Sequence, residues 1–276
     1  MTELDAKFAR LAGILRECGS VCIGYSGGVD SAFLARVAVD VLGPERVLAV
    51  TGRSDAYPAV QREMALRVVR EFGIPHLEVR TDELADPNYA ANPSDRCYFC
   101  KTELWSRLSA IAAEKGYAVV LDGANADDAG DYRPGMRAAR ECRVRSPLLE
   151  AGLTKAEIRE LSRRLGLPTW DQPAAPCLAS RLPYGLSVTP ARLRQVEAAE
   201  EALRGRGFRE FRVRHHGCIA RLEVAAGELG RALELAGELD GALRGLGFER
   251  VLLDVEGYRA GALNEALPLV QLRPAV

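Results

Sequence analysis

The chain has 276 residues, 48% of them hydrophobic and 27% charged, a balance that suits one large or two ordinary globular domains. A formal net charge of −1 gives no whole-molecule field to draw in DNA, RNA or an anionic membrane, so no nucleic-acid partner is expected. Residues 1–16 are a mixed charged segment without a signal-peptide core, and apolar runs such as 37–42 are too short to span a bilayer. A cytoplasmic protein with no membrane association is therefore expected.

In chain order, residues 21–25 read as a buried strand and 31–42 as a helix. Residues 46–51 form a second strand, 59–72 a second helix closed by Gly73 and Pro75, and 76–80 a third strand. A helix over 101–115 leads to a fourth strand at 118–122. This alternation predicts an α/β fold, a parallel sheet with helices on both faces. Ligands of such sheets sit at the carboxyl ends of the strands. Three motif-like stretches fall there: 26–31, 51–54 with Thr51 and Ser54, and 122–128 with Gly123, Asp127 and Asp128. A further helix covers 154–165, with Thr154 and Glu157 as a capping-box signature. The remainder reads as a smaller α/β unit: a helix at 190–206, paired strands at 210–215 and 219–224, a helix at 228–246 and a strand at 250–255. The expected organisation is residues 1–167 as a nucleotide-binding domain, a Pro-rich inter-domain segment at 168–189 carrying Cys177, and a small α/β domain at 190–276.

Ser26-Gly27-Gly28-Val29-Asp30-Ser31 directly follows a strand and opens a helix. Gly27 and Gly28 let the backbone approach an anion, and the helix start at Asp30 and Ser31 offers unpaired amides and the positive end of the helix dipole. Ser26 and Ser31 add hydroxyls. Asp30 has the wrong sign for a phosphate unless a cation bridges, so it is assigned to Mg²⁺. The loop is not a Walker motif, because no Gly-Lys-Ser/Thr ends it, and it lacks the glycine spacing of a dinucleotide fingerprint. The plainer reading is a tight turn with Asp30 as the helix N-cap. The SGGxDS pattern resembles the pyrophosphate loop of the PP-loop ATP pyrophosphatases. That resemblance implies cleavage of ATP to AMP and pyrophosphate, with an adenylated carboxyl or carbonyl left on the substrate.

The chain has seven cysteines, which in a reducing compartment are not expected to form disulfides. Cys97-Tyr98-Phe99-Cys100 places a C-x-x-C just before the 101–115 helix, and Cys177 adds a third thiol. Two thiols at that spacing can share one metal centre, and three suit a 4Fe-4S cluster with one open iron better than a closed zinc site. Plainer alternatives stand beside this: Cys97 and Cys100 as a redox pair or as packed thiols, and Cys177 as a lone nucleophile. Cys18, Cys22, Cys142 and Cys218 have no partner spacing and read as structural.

Asp122-Gly-Ala-Asn-Ala-Asp-Asp128, Asp131-Tyr-Arg-Pro-Gly135, Gly152-Leu-Thr-Lys155, Gly166-Leu-Pro-Thr-Trp170, Ser180-Arg-Leu-Pro-Tyr-Gly185, Arg212-Val-Arg214 and Ala220-Arg-Leu-Glu223 together resemble the LarE family. These are ATP-dependent sulfur transferases of nickel-pincer nucleotide synthesis. The resemblance covers nearly the whole chain. It implies adenylation of the carboxylates of pyridinium-3,5-biscarboxylic acid mononucleotide and their conversion to thiocarboxylates. Single-cysteine members sacrifice their own sulfur; they carry Trp and Ala in place of Cys97 and Cys100, and a donor cysteine at the position of Pro176. The present chain resembles the three-cysteine branch, thought to hold a 4Fe-4S cluster, so sacrifice of Cys177 is the alternative reading. A homo-oligomer such as a hexamer is also implied.

Arg212 and Arg214 lie two apart on one strand, and Arg221 and Glu223 two apart on the next, so all four share a face if Gly217 turns the hairpin. Spacing alone makes this a solvated surface. With the resemblance, Ser180, Arg181, Arg212 and Arg214 are expected to bind the small anionic pyridinium mononucleotide, and Glu200 and Glu223 are weaker candidates for a divalent metal. Two further functions are weighed: a tRNA-thiolating enzyme, disfavoured by the net charge, and a non-catalytic ATP-binding redox sensor.

Overall fold

The structure is a computed structural model that describes residues 2–130 and 134–259. Asp131, Tyr132 and Arg133, part of one stretch that carries the resemblance, lie outside the described residues. The chain divides into two compact units, Met1–Tyr89 with Asp95–Ala175, and Ala90–Ser94 with Pro176–Val276. The break falls inside the Pro-rich segment, and residues 90–94 belong with the second unit.

In the first unit, β1 (Val21–Gly24), β2 (Val47–Arg53), β3 (His76–Arg80) and β4 (Val119–Leu121) form one parallel sheet in the order β3-β2-β1-β4. Side chains alternate across it with period two. Val21, Ile23, Val47 and Ala49 enter a core with Leu11, Phe33 and Ile158, from helices Glu3–Cys18, Val29–Leu42 and Lys155–Arg164. Cys22, Leu48, Val50 and Val120 enter a second core with Trp105, Leu108 and Ala112 from helix Arg96–Lys115. Both faces are therefore covered, and both demand apolar residues, which is why these strands read as unbroken hydrophobic runs.

Three elements differ from expectation. The N-terminal charged segment is a helix, Glu3–Cys18, capped by a Thr2–Asp5 box and anchored by the stripe Leu4, Phe8, Leu11 and Leu15. The helix expected from residue 101 begins at Arg96, so Cys97 and Cys100 occupy its first turns rather than the loop before it. The helix expected over 228–246 is broken at Leu235 into Leu229–Glu234 and Ala236–Gly245. Gly230, Gly237, Gly241 and Gly245 weaken helical propensity through that stretch.

The second unit holds a three-stranded sheet, β5 (Phe211–His216), β6 (Ile219–Val224) and β7 (Arg250–Leu253). β5 and β6 are antiparallel, joined across Gly217 at φ +68°, and β6 and β7 are parallel. One face packs Phe211, Val213, Leu222 and Val224 against helices Pro190–Gly205 and Ala236–Gly245. Among the described residues, no helix is long and apolar enough to cross a membrane.

Candidate functional site

The phosphate loop leaves the carboxyl end of β1. Its conformation is fixed at Gly27, at φ +68°, where a Cβ would lie 2.4 Å from the Cβ of Ala65. No other residue fits without displacing helix Ala59–Glu71. Gly28, not Asp30, is the N-cap of the following helix, and it makes no side-chain capping bond. The first-turn amides therefore have neither an intrahelical partner nor a side-chain cap. The Ser31 hydroxyl accepts from the Ser26 amide at 3.2 Å, lies 3.2 Å from the Ser26 hydroxyl, and donates to the Gly28 carbonyl. A loop braced by its own hydroxyls, with an uncapped helix N-terminus behind it, is a preorganised anion seat.

Residues not singled out from the sequence hold this seat. Tyr57 and Gln61 each donate to the Ser26 carbonyl at 3.0 Å. Gln61 is buried, and its carbonyl oxygen accepts from Gln172 at 2.9 Å, while Arg159 donates to the Trp170 and Gln172 carbonyls. The available signal was a polar residue on the buried stripe that continues through Ala65, Val68 and Val69. Thr51 is buried and donates to the Tyr25 carbonyl at 2.8 Å, so it shapes the strand end from beneath, and Ser54 accepts from the Ala56 amide.

The 122–128 stretch packs on the loop. A Cβ at Gly123 would come within 3.2 Å of the Ser31 amide nitrogen. Asn125 donates to Asp30 at 3.3 Å and takes its backbone order from Asp128, whose carboxylate accepts from the Asn125 amide at 3.0 Å. Asp30 is ion-paired with Lys155, whose amide donates to Asp127 at 2.8 Å. Thus Lys155 neutralises the acid at the mouth of the phosphate loop. Burial pushes the Asp122 carboxyl above the usual range, opposed by hydrogen bonds from Ser146 and Ala124 and by the charge of Lys101.

Helix Arg96–Lys115 presents the cysteine pair. Cys97 is exposed and Cys100 half-buried, and three residues apart they share a helical face. The helix is seated by Trp105, which lies over Gly24, where any Cβ would stand 2.5 Å from the indole. Cys177 belongs to the second unit and caps the short 3₁₀ turn Leu178–Arg181. Within neither unit do three or more His, Cys, Asp or Glu side chains gather in a metal-binding arrangement among the described residues.

In the second unit Arg212, Arg214 and Glu223, on the non-core face of the hairpin, are buried rather than solvated, and Arg221 is part exposed. Arg212 pairs in register with Glu223, and Arg214 with Arg221. Arg181, 3% exposed, makes a two-pronged bridge to Glu200 (2.8 and 2.9 Å) and donates to the Pro176 and Cys177 carbonyls and the Ser180 hydroxyl. Arg214 bridges Glu223 and donates to the Ser180 carbonyl at 2.9 Å, and Arg221 takes the other oxygen of Glu223. Glu200 and Glu223, candidate metal ligands from sequence, thus use both carboxylate oxygens on arginines. Ser180 donates to the Cys177 carbonyl at 2.8 Å. Arg212 stacks on Tyr258 and is held below its usual range by burial and by the nearby charge of Arg181. Four arginines here meet three carboxylates, Glu200, Glu223 and Asp254, which pairs with Arg221 at 3.6 Å, and the one positive charge left over suits an anionic ligand.

Comparison with known proteins adds three findings. The NAD synthase family model matches residues 7–112, the part that carries the phosphate loop. An uncharacterized protein of Synechocystis sp. is 44% identical over 96% of this chain and 99% of its own length. The pyridinium-3,5-bisthiocarboxylic acid mononucleotide synthase of Lactiplantibacillus plantarum is 38% identical over 99% of both chains.

Proposed function

The chain belongs to the LarE family of pyridinium-3,5-bisthiocarboxylic acid mononucleotide synthases, and from that premise we propose that it adenylates the carboxylates of pyridinium-3,5-biscarboxylic acid mononucleotide and replaces AMP by sulfur. A substrate carboxylate oxygen attacks the α-phosphorus of ATP, the bond to the bridging oxygen breaks, and pyrophosphate leaves. A sulfide equivalent then attacks the acyl carbon, the carbon–oxygen bond to AMP breaks, and a thiocarboxylate remains. The observation that carries the reading is the phosphate loop. Gly27 and the uncapped helix start at Gly28 form a seat for pyrophosphate as its charge grows. Lys155 and Asp30 stand at its mouth, and Asp30 is the proposed magnesium ligand.

Arg181, Arg212 and Arg214 with Ser180 are the proposed seat for the mononucleotide. Arg181 and Arg214 already meet buried glutamates, so they act chiefly by fixing the Cys177 segment and its positive field. Cys97 and Cys100, on one face of the first helical turns, fit paired ligation of an iron–sulfur cluster, with Cys177 as the proposed third ligand. Such a cluster, if held by these three thiols, would supply the sulfide equivalent for the acyl carbon. The functional form is proposed to be a homo-oligomer.

Anaerobic reconstitution tests the sulfur source. Wild type should retain iron and acid-labile sulfide, and Cys97→Ala, Cys100→Ala and Cys177→Ala should lose both while still forming AMP. Absence of iron from wild type, together with loss of one H₂S in mass at Cys177 after turnover, would move the assignment to a sacrificial cysteine.

A further inference from the structure

A cavity of about 200 Å³ opens in the first unit beside the helix turn that carries the cysteine pair. Its wall includes Tyr98 and Phe99, the two residues between Cys97 and Cys100, and four carboxylates, Asp82, Glu83, Asp86 and Glu103. Glu103 is paired with Arg107 at 2.6 Å. Among the described residues, no cation lies within ion-pair distance of Asp82, Glu83 or Asp86. Glu83 is the decisive group. It is 4% exposed, and its Oε2 is buried without a hydrogen-bond partner. A carboxylate oxygen taken from water and left without a partner is costly, and a cation nearby offsets that cost.

We infer that this cavity binds an ammonium or guanidinium group, with Glu83 as its buried counter-charge and Asp82 and Asp86 at the rim. A metal ion fits less well, because these carboxylates do not converge in a metal-binding arrangement among the described residues. Aromatic rings in the wall suit an organic cation. The Tyr98 ring already carries the Arg137 guanidinium, 3.7 Å from its centroid. Nothing in the ATP or sulfur chemistry above uses this cavity. A cation seated there would bring its bearer, a free amine or the arginine or lysine of a protein, against the turn of Cys97 and Cys100.

Saturation-transfer NMR with methylguanidinium chloride, and calorimetry with an N-acetyl-Gly-Arg-Gly amide peptide, test the site on the intact chain. Both probes should bind wild type and the control Glu201→Gln, an exposed carboxylate elsewhere. Binding should weaken at least about tenfold in Glu83→Gln. If Glu83→Gln loses its fold by circular dichroism, the rim pair Asp82→Asn with Asp86→Asn carries the test and should weaken binding several-fold. Tighter binding of the peptide assigns a protein side chain as the source, and equal binding assigns a free small cation. Binding unchanged in both the Glu83 and the rim variants would overturn the inference, as would displacement of the probes by millimolar Mg²⁺.

Discussion

Gly27 shows how one missing side chain shapes this site. A methyl group there meets Ala65 at 2.4 Å on a backbone held at φ +68°. Gly27→Ala therefore combines a collision with left-handed strain and should cost about 1–3 kcal/mol if the loop keeps its shape. The expected outcome is a modest fall in melting temperature with a much larger loss of ATP affinity, read by calorimetry, because the loop escapes the strain by moving off its seat. Arg181 makes the opposite case, a charge whose removal leaves its partner stranded. With Glu200 buried beside it, Arg181→Ala should destabilise the second unit by about 3–5 kcal/mol in chemical denaturation. Arg181→Lys should recover only part of that, since an ammonium cannot reproduce the fork that also reaches the Pro176 and Cys177 carbonyls.

Among the elements, helix Arg96–Lys115 does two jobs. Trp105 and Leu108 fasten one face to the sheet, and the first turns offer Cys97 and Cys100. Cys22, on β1 beneath it, is fully buried, and burial pushes its thiol up to about 12. Alkylation of the native chain with iodoacetamide near neutral pH should label exposed Cys97 and Cys218 first and Cys22 last, as mapped by mass spectrometry. Early labelling of Cys22 would mean that the second core opens readily. The strands of the parallel sheet were legible because burial on both faces writes continuous apolar runs. The helix Glu3–Cys18 was not legible, because its charged residues masked the stripe of Leu4, Phe8, Leu11 and Leu15. The start of the cysteine helix was not either, because Asp95 makes no side-chain cap to mark it.

For the whole molecule, the motif stretches were legible in the sequence, while the bonds each makes within the fold were not. Spacing placed Arg212, Arg214, Arg221 and Glu223 on one face, but only three-dimensional packing shows that Arg212, Arg214 and Glu223 are buried there and that Glu200, from a helix, holds Arg181 and the Val213 amide. Gln61 and Tyr57 escaped notice because their task is to hold a backbone carbonyl, which leaves no motif. Stability should depend on pH through both units. Burial holds His76 and His215 below their ordinary value of 6.5. Below about 6.5 the unfolded chain takes up protons that the folded chain refuses, so stability is full above that value and falls as pH drops toward the lowered folded values. Melting temperature should decline from pH 7.5 to pH 5.5, and the combined His76→Gln and His215→Gln variant should flatten that slope. The proposed reaction spends ATP at the α-phosphate to place sulfur on a pyridinium dicarboxylate. Anaerobic turnover with ATP, a sulfide source and pyridinium-3,5-biscarboxylic acid mononucleotide, followed by chromatography and mass spectrometry, tests it most directly. AMP and pyrophosphate should form only when the pyridinium substrate is present, with one AMP for each oxygen replaced by sulfur. Formation of ADP, or AMP release that ignores the substrate, would contradict it.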